Sequence, residues 1–318
     1  MRNLIQSVVQ RVFRSLSARI AFFLFLLSFC SVVVLGAALY QAYARLVIRS
    51  TSAKLEAIRN VCVDRLRNWA DEKQNDLEHL SQGLDELKVL AGHADESRYR
   101  AYLQRYVATH PDARALILLS ARGAVEHASL PDDVLPRGMD WSRTEIFQQV
   151  RARATLCASV GASLYGKPGF MLVLGIPVRS SEAQAMSVMV LEVDTLFFSS
   201  LFKVSSGLFD TGDELVIVDA ACRSLNPRHW SDGVQRVLPS SMAGGSSVRR
   251  GAVPSVRKGI DYSGLPVFAA TDCVPDLNWG VIVNRPLAQI EKERRDAWLT
   301  GLALLPLVLF VLAAISIL

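Results

Sequence analysis

Two apolar runs, Ile20 to Tyr40 and Ala297 to Leu318, stand at the two ends of the chain and confine any water-soluble fold to the residues between them. A helix needs about 20 consecutive apolar residues to cross a hydrocarbon core ~30 Å thick, and both runs meet that length. The layout predicts a cytoplasmic tail at 1–19, membrane-spanning helices at 20–40 and 297–318, and one folded mass between them on one side of a bilayer. The apolar fraction of 51% is only slightly above a globular average, and the two runs account for the excess. The formal charge of +5 comes from scattered side chains with no run of five or six Lys/Arg, which argues against nucleic acid as a partner.

The first run has two other readings. It follows Arg2, Arg11, Arg14 and Arg19 with no acid, and Ala42-Tyr43-Ala44 imitates a cleavage site, but the apolar core exceeds the 7–15 residues or so of a secretory signal. A lipoprotein signal at Leu27-Ser28-Phe29-Cys30 would place bulky Phe29 where a small residue is expected. Orientation is balanced, because Arg45, Arg49, Lys54 and Arg59 after the run match the arginines before it. Long domains translocate largely regardless of flanking charge, so the central residues are expected outside the cytoplasm.

After the first run, Leu55, Ile58, Cys62, Leu66, Trp69, Leu77, Leu80, Leu84 and Leu87 recur at the three-and-four spacing of one helical face. With no Pro and one Gly between Tyr40 and Leu90, residues 41–90 are expected to form a single stalk helix. Its apolar stripe is available to the downstream residues or to a second copy of itself. Asp64, Arg65, Glu72, Lys73, Asp76 and Glu86 fall on the face expected to be solvated.

From Ala115 the period shortens. Ala115 to Leu119, a turn at Ala121-Arg122-Gly123, and Ala124-Val125 read as strand, turn, strand. Leu215 to Val218 followed by Asp219-Ala220-Ala221-Cys222 repeats the pattern at an offset of 99 residues, and Gly166, Pro168 and Pro177 are echoed by Gly264, Pro266 and Pro275 at an offset of 98. Val188 to Val193 and Trp279 to Val283 each supply a closing strand. A repeated order of this kind implies two copies of one sheet-bearing unit, placed at 91–202 and 203–290. Ser142-Arg143-Thr144-Glu145 reads as a capping box opening a helix to Arg153. Asn226 to Val256, rich in Gly, Ser and Pro, reads as loop with at most a short helix at Gly233 to Leu238.

The order of these elements resembles a double Cache sensor, the extracytoplasmic ligand-binding unit of bacterial chemoreceptors, sensor histidine kinases and cyclic-dinucleotide enzymes. The likeness rests on the long leading helix, Trp141-Ser-Arg-Thr-Glu-Ile-Phe147, Gly166-Lys-Pro168 leading into Leu174 to Val178, Val190-Leu-Glu-Val-Asp194, and Leu277 to Val283 before the second run. It covers roughly residues 45–290. The resemblance implies an α+β fold: a long N-terminal stalk helix carrying a membrane-distal and a membrane-proximal PAS-like antiparallel sheet, flanked by two transmembrane helices. It further implies a two-span protein of the bacterial inner membrane that senses a small molecule in the distal unit. A homodimer through the stalk and transmembrane helices is expected.

Amino-acid-binding members of the family use an Arg followed two and three positions later by aromatics, a Tyr–Asp pair before the Gly-x-Pro turn, and an Asp on the closing strand. Arg143 and Asp194 match, whereas Glu145 and Ile146 replace the aromatics and the Tyr–Asp pair is absent. The candidate ligand-binding residues are therefore Trp141, Arg143, Phe147, Tyr165 and Asp194, with a carboxylate-bearing ligand suggested by the two-pronged donor geometry of Arg143. Each has a plainer role: Arg143 as an exposed first-turn residue, Asp194 as the cap of a helix at Leu196 to Phe202, Trp141 and Phe147 as core, Tyr165 as a solvated turn.

Nothing points to catalysis. His79, His93, His110, His127 and His229 have no metal-ligand spacing, and neither a nucleophile elbow nor a phosphate-cradling loop occurs. No cofactor is expected. Outside the first run, Cys62, Cys157, Cys222 and Cys273 form no Cys-x-x-Cys pair. They read as buried thiols, with Cys222–Cys273 the bridge to expect in an oxidising compartment. A sensor of this kind continues into a cytoplasmic output domain, but the sequence stops at Leu318. The output is then missing, lost from a fragment, or supplied by a separate signalling partner. The alternative is a membrane-anchored module that binds another protein and has no small-molecule ligand.

Overall fold

Between Leu16 and Ala91 the sequence contains no proline, and the whole stretch is one helix of 76 residues, α1. The computed structural model describes residues 16–91, 96–162, 170–179, 186–194, 209, 212–219, 222–225, 254–261, 263–274 and 277–300. The chain divides into two compact units. One holds α1 up to Thr51 together with the described residues from Ile290 onward, and the other is Ser52–Gln289.

In the first unit, α1 leaves Phe23, Leu27, Val34 and Leu35 exposed. Among the described residues α1 is the one helix long and apolar enough to cross a membrane, with a window of mean hydropathy 1.7 that is not buried at all. Most of the second apolar run, 301–318, lies outside the described residues. A further helix, α4, spans 287–300. Its Trp298 meets Tyr40 of α1 edge to face, ring centroids 4.9 Å apart, and the Arg294 guanidinium lies over the same Tyr40 ring.

The second unit contains α2 (Glu96–Thr109), β1 (Ala113–Leu119), β2 (Val125–Ala128), α3 (Glu145–Arg153), β3 (Cys157–Ala162), β4 (Phe170–Arg179), β5 (Met186–Val193), β6 (Glu214–Val218), β7 (Ser255–Ile260), β8 (Pro266–Val274) and β9 (Trp279–Pro286). They form two antiparallel sheets, β2-β1-β5-β4-β3 and β6-β9-β8-β7. Replacing β1, β5, β4 and β3 by β6, β9, β8 and β7 turns the first order into the second, so the repeat read from the Gly/Pro spacing has a topological counterpart. Among the described residues, the second sheet echoes β2 as an isolated bridge, Val218 to Ser224.

The apolar stripe of α1 is spent inside the chain. Leu55, Ile58, Cys62, Leu66, Trp69, Leu77, Leu80 and Leu84 are all buried. Trp69 stacks on Trp279 at the start of β9, and Arg59 reaches Asp272 on β8 at 3.7 Å. Gly83 gives α2 its close approach, because a Cβ there would collide with the Tyr102 hydroxyl. Lys73 does not lie on a solvated face. It is buried, 2.9 Å from the equally buried Asp112 just before β1, because an ammonium survives burial only opposite a counter-charge.

The capping box gives way to a different start for α3. Thr144, not Ser142, is the N-cap and makes no side-chain cap bond. The Ser142 amide instead donates to Asp140 Oδ1 at 2.8 Å, and Thr144 Oγ1 donates to the Trp141 carbonyl at 2.7 Å. Glu145, released from capping, points to other partners. The helix ends at Arg153 as expected, with Ala154 in the left-handed region. All five cysteines are free thiols, so the expected Cys222–Cys273 bridge is absent. Cys273 is on β8 and Cys222 follows β6, with β9 between those strands. Two strand spacings come to ~10 Å, beyond the Cα reach of a disulfide, about 7 Å. The loop expected to run to Val256 ends earlier, at β7, and its short helix at 233–238 lies outside the described residues.

Candidate functional site

The first sheet has two differently furnished faces. Ala115, Ile117, Leu119, Val173, Val188 and Val190 share one apolar cluster with Trp141, Ile146, Phe147 and Val150, so α3 lies on that side. Gly175 on β4 admits the helix: a Cβ there would stand 2.8 Å from Val150 Cγ2 and 2.9 Å from Ile146 Cγ1. The entry to α3 is fixed by a left-handed Gly123, whose carbonyl accepts from the Trp141 amide at 2.7 Å. The amide and hydroxyl of Ser142, with a smaller contribution from Arg143, hold the Asp140 carboxyl below its usual range.

Trp141 and Phe147 are thus brought together, as buried members of the α3-side cluster. Arg143 is exposed on the approach to α3. Asp194, just past β5, forms an ion pair with Arg114, and its amide donates to the Asp112 carbonyl at 2.7 Å. Tyr165 lies outside the described residues, as do Lys167 and the helix that Asp194 was expected to cap. One group on this face escaped the sequence reading. Glu192 is 1% exposed, and its ladder neighbours Ala115 and Val173 belong to the Trp141/Phe147 cluster. A carboxylate so placed is costly to bury. Its only sequence signal was an acid interrupting the apolar run Val188 to Val193.

A cavity of about 240 Å³ opens on the other side of α3, lined by Glu145, Gln149, Arg153, Ala158, Asp219, Arg223, Leu277, Asn278 and Trp279. Its walls come from both sheets: α3 and β3 on one side, the turn after β6 and the start of β9 on the other. Asp219 shapes the turn, accepting from the Arg223 amide at 2.8 Å and from Arg223 Nε at 2.6 Å. Arg223 Nη2 then reaches both Glu145 oxygens at 3.5 Å. Glu145 also accepts from Gln149 at 2.9 Å and from Ser159 Oγ at 3.2 Å. Partial burial works against the Arg223 charge, but Asp219 and then Glu145 outweigh it and hold the guanidinium more firmly protonated. Among the described residues no group of His, Cys, Asp and Glu could hold a metal ion.

No protein-family model matches the sequence, and a comparison with curated proteins found no match. Solved structures share the fold. The ligand-binding domain of the Pseudomonas fluorescens chemoreceptor CtaA in complex with L-isoleucine is 12% identical with a TM-score of 0.57, covering 78% of this chain and 98% of that one. The ligand-binding domain of the Pseudomonas aeruginosa PAO1 amino acid chemoreceptor PctC in complex with GABA is 19% identical with a TM-score of 0.54, covering 74% and 99%. The extracellular domain of a protein assigned as a histidine kinase, soHK1S-Z6, is 13% identical with a TM-score of 0.55, covering 78% and 98%. The fold is that of extracellular, Cache-type ligand-binding sensor domains, in agreement with the resemblance read from the sequence.

Proposed function

We propose that the chain is a membrane-anchored extracytoplasmic sensor that binds a small molecule in the unit built on its first sheet and passes the event to its membrane helices. The observation that carries this reading is the pair of like-ordered sheets packed along one helix whose N-terminal part is apolar and unburied. Two of the solved structures that share this fold are ligand-binding domains of chemoreceptors, and a third is the extracellular domain of a protein assigned as a histidine kinase.

In this reading the units occupy 91–202 and 203–290, and residues 20–40 and 297–318 span the inner membrane. The ligand contacts the α3 side of the first sheet. Trp141 and Phe147 form its apolar wall, Arg143 and Tyr165 its rim, and Asp194 and Glu192 its polar end. The stalk stripe is already buried against the sheets, so a homodimer would form through the exposed apolar part of α1. Ligand shifts the balance between two sheet–stalk packings only by its differential affinity for them.

The full chain in lipid nanodiscs, screened by thermal shift against amino acids and small carboxylates, tests the reading. A ligand at 100 times its Kd stabilises by about 2.7 kcal/mol, and Arg143→Ala should remove most of that gain. A flat response across the panel, or protease digestion placing residues 52–289 in the cytoplasm, would refute it.

A further inference from the structure

The cavity between α3 and the second sheet has a chemical bias that the first-sheet site does not explain. Its acids are committed: both Glu145 oxygens accept from Arg223, and from Gln149 and Ser159 besides, and Asp219 takes the amide and Nε of Arg223. Its bases are not. Arg153 makes no hydrogen bond or ion pair among the described residues, and Arg223 spends Nε and Nη2 but not Nη1. Spare donors with satisfied acceptors select an anion, and a guanidinium suits a carboxylate best. Leu277 and Trp279 give the same cavity an apolar wall. At about 240 Å³ it falls below the ~300–1,000 Å³ typical of drug-sized ligands.

We infer that this cavity is a second binding site, for a small monocarboxylate with a short apolar body, distinct from the first-sheet site. The carboxylate sits between Arg153 and Arg223 Nη1, and the body lies against Leu277 and Trp279. Occupancy has a structural consequence. The Glu145–Arg223 contact is 3.5 Å long, at the outer edge of a hydrogen bond, and it joins α3 on the first sheet to the turn of the second. A ligand carboxylate on Nη1 brings a second negative charge beside Glu145, and the like-charge repulsion weakens that contact. Trp279, which stacks on Trp69 of α1, feels the change directly.

The test uses the full chain in nanodiscs, titrated with propionate, butyrate and phenylacetate and with their neutral amides, by calorimetry and tryptophan fluorescence. The expected result is saturable binding of the acids and not the amides, with a change in tryptophan emission. Arg153→Gln should weaken it about tenfold, the loss of one charge-assisted hydrogen bond. Arg153 is exposed, so this variant keeps the fold even where Arg223→Gln disturbs the turn. Arg122→Gln, which removes an exposed charge outside both sites, should leave carboxylate binding unchanged. Equal binding of acids and amides, absence of saturable binding, or loss with Arg143→Ala but not Arg153→Gln would overturn the inference. The first-sheet reading would stand or fall separately, on its own ligand panel.

Discussion

Replacing Asp112 by Asn removes one charge from a pair that the fold has taken out of water. Lys73 Nζ lies 2.9 Å from Asp112 Oδ2, with the two side chains 4% and 3% exposed. Breaking a buried pair by deleting one partner costs about 3–5 kcal/mol, because the other charge is left uncompensated. Two features move this case to the low end. Asp76 remains 3.5 Å from Lys73 and is partly solvated, and Asn can still accept from Trp69 Nε1, now at 3.4 Å from the carboxylate. A loss of about 3 kcal/mol lowers Tm by roughly 6–12 °C, at about 2–4 °C per kcal/mol for a domain of this size. The assay is thermal unfolding of the full chain in nanodiscs, followed by near-ultraviolet circular dichroism. The double variant Lys73→Met with Asp112→Leu should recover most of the loss, since an apolar pair of similar volume is often as stable as the ion pair. A single variant within ~2 °C of the parent, or a double variant no better than the single, would refute the view that this pair ties the stalk to the first sheet.

Gly175→Ala should cost about 1–3 kcal/mol, because its Cβ meets Val150 and Ile146 inside contact distance; the urea midpoint checks it, and an unchanged midpoint would mean that α3 yields freely. Stability should fall at alkaline pH. Burial, partly offset by Arg65, pushes the Cys62 thiol from 9.0 to about 12, and burial followed by Asp76 and Asp112 raises the Tyr106 hydroxyl. A raised folded pKa means that the folded chain holds the proton more tightly. The contribution is therefore complete below the unfolded value near 9.0 and drains away as pH climbs toward about 12. Urea midpoints from pH 8 upward, measured in steps, should decline. Cys62 should also resist maleimide at neutral pH until the protein unfolds, the thiolate being the reactive form; rapid labelling of the folded chain at this position would contradict the burial.

Much of the architecture was legible because it rests on period and punctuation. The three-and-four spacing from Leu55 to Leu84 marked the buried stripe of α1 residue by residue, and the offsets of 98 and 99 marked two sheets whose strand orders correspond. Local spacing could not say which polar residues the tertiary fold would bury. Lys73 looks like any stalk cation until Asp112, 39 positions away, is brought against it. Ser142 and Glu145 carry a capping pattern, but Asp140 takes the Ser142 amide and Arg223, 78 positions on, draws Glu145 away. The cavity was invisible for the same reason: its walls come from two repeats of the sequence, and only their assembly puts Arg153 and Arg223 on one space. Of the sequence-read candidates, Trp141 and Phe147 converge, whereas Arg143 and Asp194 take an exposed approach and an ion pair with Arg114.

The edge-to-face meeting of Tyr40 and Trp298, capped by Arg294, constrains how two helices can move past each other. Edge-to-face rings remain favourable over centroid separations of about 4.5–7 Å, so from 4.9 Å there is room for an axial slip of one residue's rise, ~1.5 Å. Turning either helix by a single residue step, about 100°, would swing its ring off the partner altogether. The clamp acts as a spline, permitting piston travel while resisting torsion.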